Sequence, residues 1–191
     1  MNEYTGFSQK TENTVIKMAQ SGDRIAMEKI YNTYAKPCFC LANRIVANQA
    51  LAQDIVHSVF VRVMKSIEGY SFKGSFAGWV RQIAVNESIS QVRRQTQHSQ
   101  NQHSTFAEYD EETIVDTESR FDTPWWEACH DLSQLTERLS PEARAVLFLH
   151  ELEGYSHKEI AALFNKSESF SKQSLARTLR YLKKINEVKG A

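Results

Sequence analysis

The segment from Leu139 to Lys184 leaves few folds open, because its apolar residues recur at helical spacing and every break carries a boundary signal. Ser140-Pro141-Glu142 offers a hydroxyl N-cap, a proline at the first helical position and an acid in the first turn. Gly154 is placed to end that helix in the left-handed conformation. Ser156 through Glu159 has the spacing of a capping box, with Tyr155 and Ile160 positioned as a staple. Ile160, Ala161, Leu163 and Phe164 form an inward face, and Asn165-Lys166-Ser167 breaks the pattern. A last helix follows, with Leu175, Leu179 and Leu182 on one side and Lys172, Gln173, Ser174, Arg177 and Arg180 on the other. Three short helices, the last two joined by a tight turn, have the layout of a helix-turn-helix DNA reader. The same caps and stripes also occur in helical proteins that bind no DNA, so they establish the fold more firmly than the role.

Charge separates the 191 residues into three stretches. Residues 1–95 carry a net +5, residues 96–137 a net −9 and residues 138–191 a net +4, and the formal total is zero. Two basic modules flanking an acidic strap suit a nucleic-acid partner for the modules and not for the strap. No apolar run is long enough to span a membrane, and the first residues lack a signal peptide's apolar stretch, so we expect a cytoplasmic protein without membrane insertion. The cysteines, Cys38, Cys40 and Cys129, are odd in number and show no zinc spacing; they read as free thiols rather than as a disulfide framework. No phosphate loop, metal motif or nucleophile elbow is present, so the expectation is no catalytic residue, no metal and no cofactor.

Thr14 to about Arg94 reads as a helical domain. Ile25, Ile30, Tyr34, Cys38, Leu41 and Ile45 recur at helical spacing, with a kink or break expected at Pro37. Asn48 is placed to cap the next helix, striped by Leu51, Ile55, Val59, Val63 and Ile67 and ended by Gly69. A loop holding Gly74 leads to a helix from about Phe76 to Arg94. Gln95 to Thr123 has linker composition, and Pro124 opens a further helical stretch. The expected fold is all-α: two small helical domains, residues 1–95 and 124–191, joined by a flexible acidic linker over 96–123, the C-terminal domain being the helix-turn-helix.

Three blocks resemble one family. AQDIVHSVFVRVMK, from Ala52 to Lys65, is similar to the helix of bacterial sigma factors that docks on RNA polymerase. FKGSFAGWVRQIAVNESISQVRR, from Phe72 to Arg94, resembles their segment that melts and reads the promoter −10 element, and Leu139 to Lys184 resembles their −35-reading domain. The order of the blocks and the short chain resemble the extracytoplasmic-function group. Two departures stand out: the interval from Phe72 to Trp79 is about two residues shorter than in many relatives, and Ser169-Phe170-Ser171 replaces a more usual Gly-Thr-Val type of sequence.

The resemblance implies a transcription initiation factor that directs core RNA polymerase to promoter DNA, with an anti-sigma factor as a further partner. It implies polymerase contacts at Asp54, His57, Ser58, Arg62 and Lys65. It places −10 contacts at Arg81, Asn86, Ser90, Arg93 and Arg94, and −35 contacts at Lys172, Gln173, Ser174 and Arg177. Tyr70, Phe72, Phe76 and Trp79 offer aromatic surfaces to unstacked bases, though Phe76 and Trp79 also suit core packing. Two other classes remain open: a stand-alone helix-turn-helix regulator, which would bind duplex DNA tightly by itself, and a protein-interaction adaptor, which would be indifferent to loss of Lys172 and Arg177.

Overall fold

The computed structural model describes residues 7–101, 136 and 138–189. Among these residues the chain forms seven α-helices and no strand. In chain order they are α1 (Asn13–Gln20), α2 (Arg24–Val46), α3 (Gln49–Ser66), α4 (Phe76–Asn101), α5 (Pro141–Glu151), α6 (His157–Phe164) and α7 (Glu168–Lys189), with a 3-10 turn at Ile67–Gly69. Helices α1 to α4 pack as one bundle and α5 to α7 as a second. The two are not separate bodies, because α5 lies against α2 and α4, and α6 also touches α4. That contact has no local signal in the sequence.

The helix starts follow local side-chain chemistry. Asp23 accepts from Ala26 N, Asn48 from Leu51 N and Ser140 from Ala143 N, each supplying an acceptor to a first-turn amide that has none within its helix. Ser156 completes the capping box: its hydroxyl accepts from Glu159 N while the Glu159 carboxylate accepts from Ser156 N. The Ser156 hydroxyl also donates to Glu159 Oε2 at 2.6 Å, and this bond first, with the one from Ser156 N, holds the Glu159 carboxyl below its ordinary range. Gly154 takes φ +73, and Tyr155 N donates to Leu149 O across the turn.

Several expectations are corrected. Helix α2 runs unbroken through Pro37, although the ring removes one backbone donor and crowds the carbonyl of Thr33. Tyr34, Ala35, Pro37, Cys38 and Phe39 are all buried, and this packing outweighs the local defect. Ile25 is 77% exposed and Ala26 is buried in its stead. The reason is angular: Ala26 lies four residues before Ile30, on the same face, whereas five residues is about 140° away. In α7 the inward residues are Ser171, Leu175, Thr178 and Leu182, while Leu179 is 45% exposed. Helix α4 continues to Asn101, past the Arg94 end read from the sequence. Cys38 is a free, buried thiol whose pKa is pushed up by burial, but Cys40, read as a free thiol, is disulfide-bonded. Residue spacing alone carries no information on which cysteines approach one another in space. The remainder of the linker, Cys129 and nearly all of the helical stretch opened by Pro124 lie outside the described residues.

Candidate nucleic-acid interface

Helix α4 buries Val80, Ile83, Ala84, Val85, Ser88, Ile89 and Val92, and these fix which residues face outward. Gln82, Arg93 and Arg94 are exposed, while Arg81, Asn86 and Ser90 are half-buried. Gln82 Nε2 donates to Asn86 Oδ1 at 3.2 Å, so the two amides form one polar ledge. Ser90 is turned back on its own helix, its hydroxyl donating to Asn86 O at 2.8 Å. The five residues implied for −10 contacts therefore lie along one helix, but not in equal readiness. Arg81 is taken up by the second bundle: its Nε donates to Glu153 Oε2 at 2.5 Å and its Nη2 to the Glu153 carbonyl.

Before α4 the chain makes a tight loop. Phe72 has φ +60 and Gly74 φ +99. Tyr70 is the hub, in ring contact with Phe72, Phe76 and Trp79 at centroid distances of 5.1–5.4 Å. The Tyr70 hydroxyl donates to Gly74 O at 2.9 Å, and Gln20 Nε2 from α1 donates to the carbonyls of Ile67 and Tyr70. Tyr70 and Phe76 are buried, as core packing requires; Phe72 and Trp79 keep partly open faces.

On α3, Ala52, Ile55, Val56, Val59, Phe60 and Val63 face the core. Asp54, His57, Ser58, Arg62 and Lys65 are all exposed. Arg62 Nε pairs with Glu87 Oε1 of α4 at 2.9 Å. A polar groove of about 200 Å3 runs between the two helices, lined by Leu51, Asp54, Ile55, Ser58, Glu87, Gln91 and Arg94. It brings Asp54 and Ser58 of the docking group beside Arg94 of the −10 group. Glu87 and Gln91 were not singled out in the sequence, although their i, i+4 spacing on α4 was available.

In the second bundle α7 presents Lys172, Gln173, Arg177 and Arg180 to solvent, with Ser174 half-buried. Lys172 Nζ pairs with Glu168 Oε1 at 2.7 Å, and that hydrogen bond lowers the Glu168 carboxyl pKa. The unusual triplet Ser169-Phe170-Ser171 has a structural account. Phe170 packs against Phe164, with rings 5.8 Å apart, and lies under Lys166, whose Nζ reaches Glu142 at 2.6 Å. Ser171 is fully buried with its Oγ 3.0 Å from His157 Nδ1. His157 stacks on His150 at 4.4 Å, and its pKa is lowered by burial first, then by His150 and Lys172. Arg144, buried on α5, donates to Thr136 O at 3.1 Å and to Leu139 O at 2.9 Å. It thus pins the chain entering the module, a role with no local sequence signal.

No group of His, Cys, Asp or Glu among the described residues could hold a metal ion, and no helix among them is long and apolar enough to cross a membrane. Comparison with known proteins gives two family matches, Sigma-70 region 2 over residues 30–98 and Sigma-70 region 4 over residues 129–182. The extracytoplasmic-function sigma factor SigE of Mycolicibacterium smegmatis is 30% identical over 145 residues, covering 74% of this chain and 55% of the relative. The chain thus spans about half the length of that relative. The sigma-E factor of Haemophilus influenzae is 28% identical over 166 residues, covering 82% of this chain and 85% of the relative. Among solved structures, the sigma factor RpoE of Bartonella quintana, determined with the anti-sigma factor NepR, has a TM-score of 0.52 at 17% identity, covering 84% of this chain and 96% of that one; it shares the fold. With the region 2 match lying on α2 to α4, the region 4 match ending on α7, and named relatives aligned across most of the chain, the protein belongs to the sigma-70 family of RNA polymerase sigma factors, in its extracytoplasmic-function group.

Proposed function

We propose that this chain is a dissociable specificity subunit that binds core RNA polymerase and directs it to promoters carrying −10 and −35 elements. The observation that carries the reading is the occurrence of both reader regions in one short chain, each with an outward polar face: α4 in region 2 and α7 in region 4. Residues 1–95 dock on polymerase and take the −10 element, residues 96–123 span the gap, and residues 124–191 take the −35 element. Asp54, His57, Ser58, Arg62 and Lys65 face polymerase, and the α3–α4 groove supports this by adjoining the −10 face. Asn86 reads a base of the −10 strand, its amide offering both a donor and an acceptor, and Ser90 lies one turn further along the same helix. Arg81, Arg93 and Arg94 contact phosphates and hold the register. In α7, Gln173 and Arg177 reach base edges in the major groove, with Lys172 and Ser174 on the flanking backbone. Strand opening draws on binding: contacts available only to unpaired bases shift the duplex toward the open form. The polymerase supplies the chemistry, so this chain acts as an initiation factor and not as a catalyst. An anti-sigma factor is a further partner, by likeness to RpoE, which was solved with one. The protein works in the cytoplasm, where polymerase is.

The test is run-off transcription with purified core polymerase and a pool of genomic promoter fragments. New discrete start sites are expected, lost on Asn86→Ala and weakened on Arg177→Ala. Absence of initiation, with tight binding of the free protein to duplex DNA, would favour a stand-alone regulator instead.

A further inference from the structure

One member of the α3 docking group is tied to a residue of α4. Arg62 Nε lies 2.9 Å from Glu87 Oε1, and the two partners differ in exposure: the Arg62 side chain stays 61% exposed, that of Glu87 only 16%. The pair thus withdraws the carboxylate and leaves the guanidinium in water. A guanidinium carries five N–H donors in a planar fork, so one carboxylate leaves donors for a further acceptor. An ion pair with one partner so open adds little to stability. What it does fix is the direction of a long side chain that would otherwise sample many rotamers.

Glu87 also lines the α3–α4 groove together with Asp54 and Ser58 of the docking group. Further along α4, Gln91 and Arg94 turn to each other on their own helix, Arg94 Nη1 donating to Gln91 Oε1 at 3.5 Å. Glu87 instead reaches across to α3. One residue is about 100° of helix rotation, so Glu87 points away from its neighbour Asn86 and from the ledge that Asn86 shares with Gln82. Helix α4 therefore carries two separate polar lines, one with Gln82 and Asn86, the other with Glu87, Gln91 and Arg94 along the groove.

We propose that Glu87 is a positioning residue for polymerase docking: it holds the Arg62 guanidinium ready for a carboxylate on core polymerase, and so places part of the docking surface on α4. This role rests on the promoter-factor reading above. A carboxylate is the group that the guanidinium fork fits, since it accepts at two points. Ordering one long side chain on binding lowers affinity about two- to tenfold, and Glu87 removes that loss in advance.

The experiment uses the full chain and purified core polymerase. Titration reports affinity, and run-off transcription reports the chain concentration at half-maximal signal. Glu87→Gln is expected to weaken binding about two- to tenfold and to raise the half-maximal concentration by the same factor, with the plateau held. The urea midpoint should barely move, as a purely structural role would not allow. The loss must also pass through Arg62: in an Arg62→Ala background, itself weaker than wild type, Glu87→Gln should weaken binding no further. If Glu87→Gln loses helicity, Glu87→Asp decides by the same comparison; it keeps the charge but is one carbon shorter, and its loss should be smaller and should vanish without Arg62. Unchanged or tighter binding by a helical Glu87→Gln variant, or an equal loss with and without Arg62, would overturn the proposal. Failure of the wild-type chain to bind polymerase would instead sink the promoter-factor reading, and this role for Glu87 with it.

Discussion

Gly154 and Gly78 allow backbone conformation to be separated from packing, because a Cβ at either position meets no serious obstacle. At Gly154 nothing lies within 4 Å of the added atom, and at Gly78 the nearest neighbour is Ser75 Cβ at an ordinary 3.7 Å. The two differ in backbone: Gly154 sits at φ +73, whereas Gly78 lies in the first turn of α4. Alanine in the left-handed region costs about 1–2 kcal/mol. The stiffer unfolded chain returns about 0.4–1 kcal/mol of this, so Gly154→Ala should lose about 1 kcal/mol. At Gly78 the helical backbone suits alanine, and the same unfolded-state effect should make Gly78→Ala more stable by about 0.5–1 kcal/mol. The assay is urea unfolding followed by far-UV circular dichroism, with the slope checked for constancy so that midpoint shifts report stability. The two variants should move in opposite directions. A Gly154→Ala protein as stable as wild type, or a Gly78→Ala protein less stable than Gly154→Ala, would refute the reasoning.

Two further outcomes follow from buried polar groups. Arg144→Met keeps an apolar stem but leaves the carbonyls of Thr136 and Leu139 without their charged donor; a loss of about 2–4 kcal/mol is expected on chemical unfolding, and a loss below about 0.5 kcal/mol would count against this role for Arg144. The His157 pKa lies below its ordinary value near 6.5, so below that pH the unfolded chain binds the proton more readily than the folded one. The His157 contribution is therefore intact above about pH 6.5 and is lost as pH falls toward the depressed folded value; Glu168 and Glu151 oppose the shift without reversing it. Nuclear magnetic resonance titration of the His157 ring should give a value below that of an unfolded histidine, and a raised value would contradict the assignment.

The helix boundaries were legible because capping is settled within three or four residues. Asn48, Ser140 and Ser156 each accept from the amide three positions on, whatever lies elsewhere in the fold. The outward faces of α3 and α7 were legible for a similar reason: a helix fixes the angle between residues, so knowing one face gives the opposite one. The exposure of Asp54, His57, Ser58, Arg62 and Lys65 follows from the buried stripe of α3, and that of Lys172, Gln173 and Arg177 from the stripe of α7.

Where stripes are wide, the sequence left a choice that only packing made. Leu179 and Thr178 flank the same line on α7, and the larger apolar residue faces out because the contact surface centres on Ser171, Leu175 and Leu182. Pro37 shows the same priority: its local cost is fixed by its ring, but the burial around it decided that α2 continues. The join between the bundles lies wholly on the tertiary side. Arg81 and Glu153 are 72 positions apart, and neither residue type nor spacing links them. Local chemistry thus determined where α2, α3, α5 and α6 start and which way most of their side chains point. Long-range burial decided which helices meet, because the cost of withdrawing a charge such as Glu153 from water is met only by a partner that the fold itself brings near.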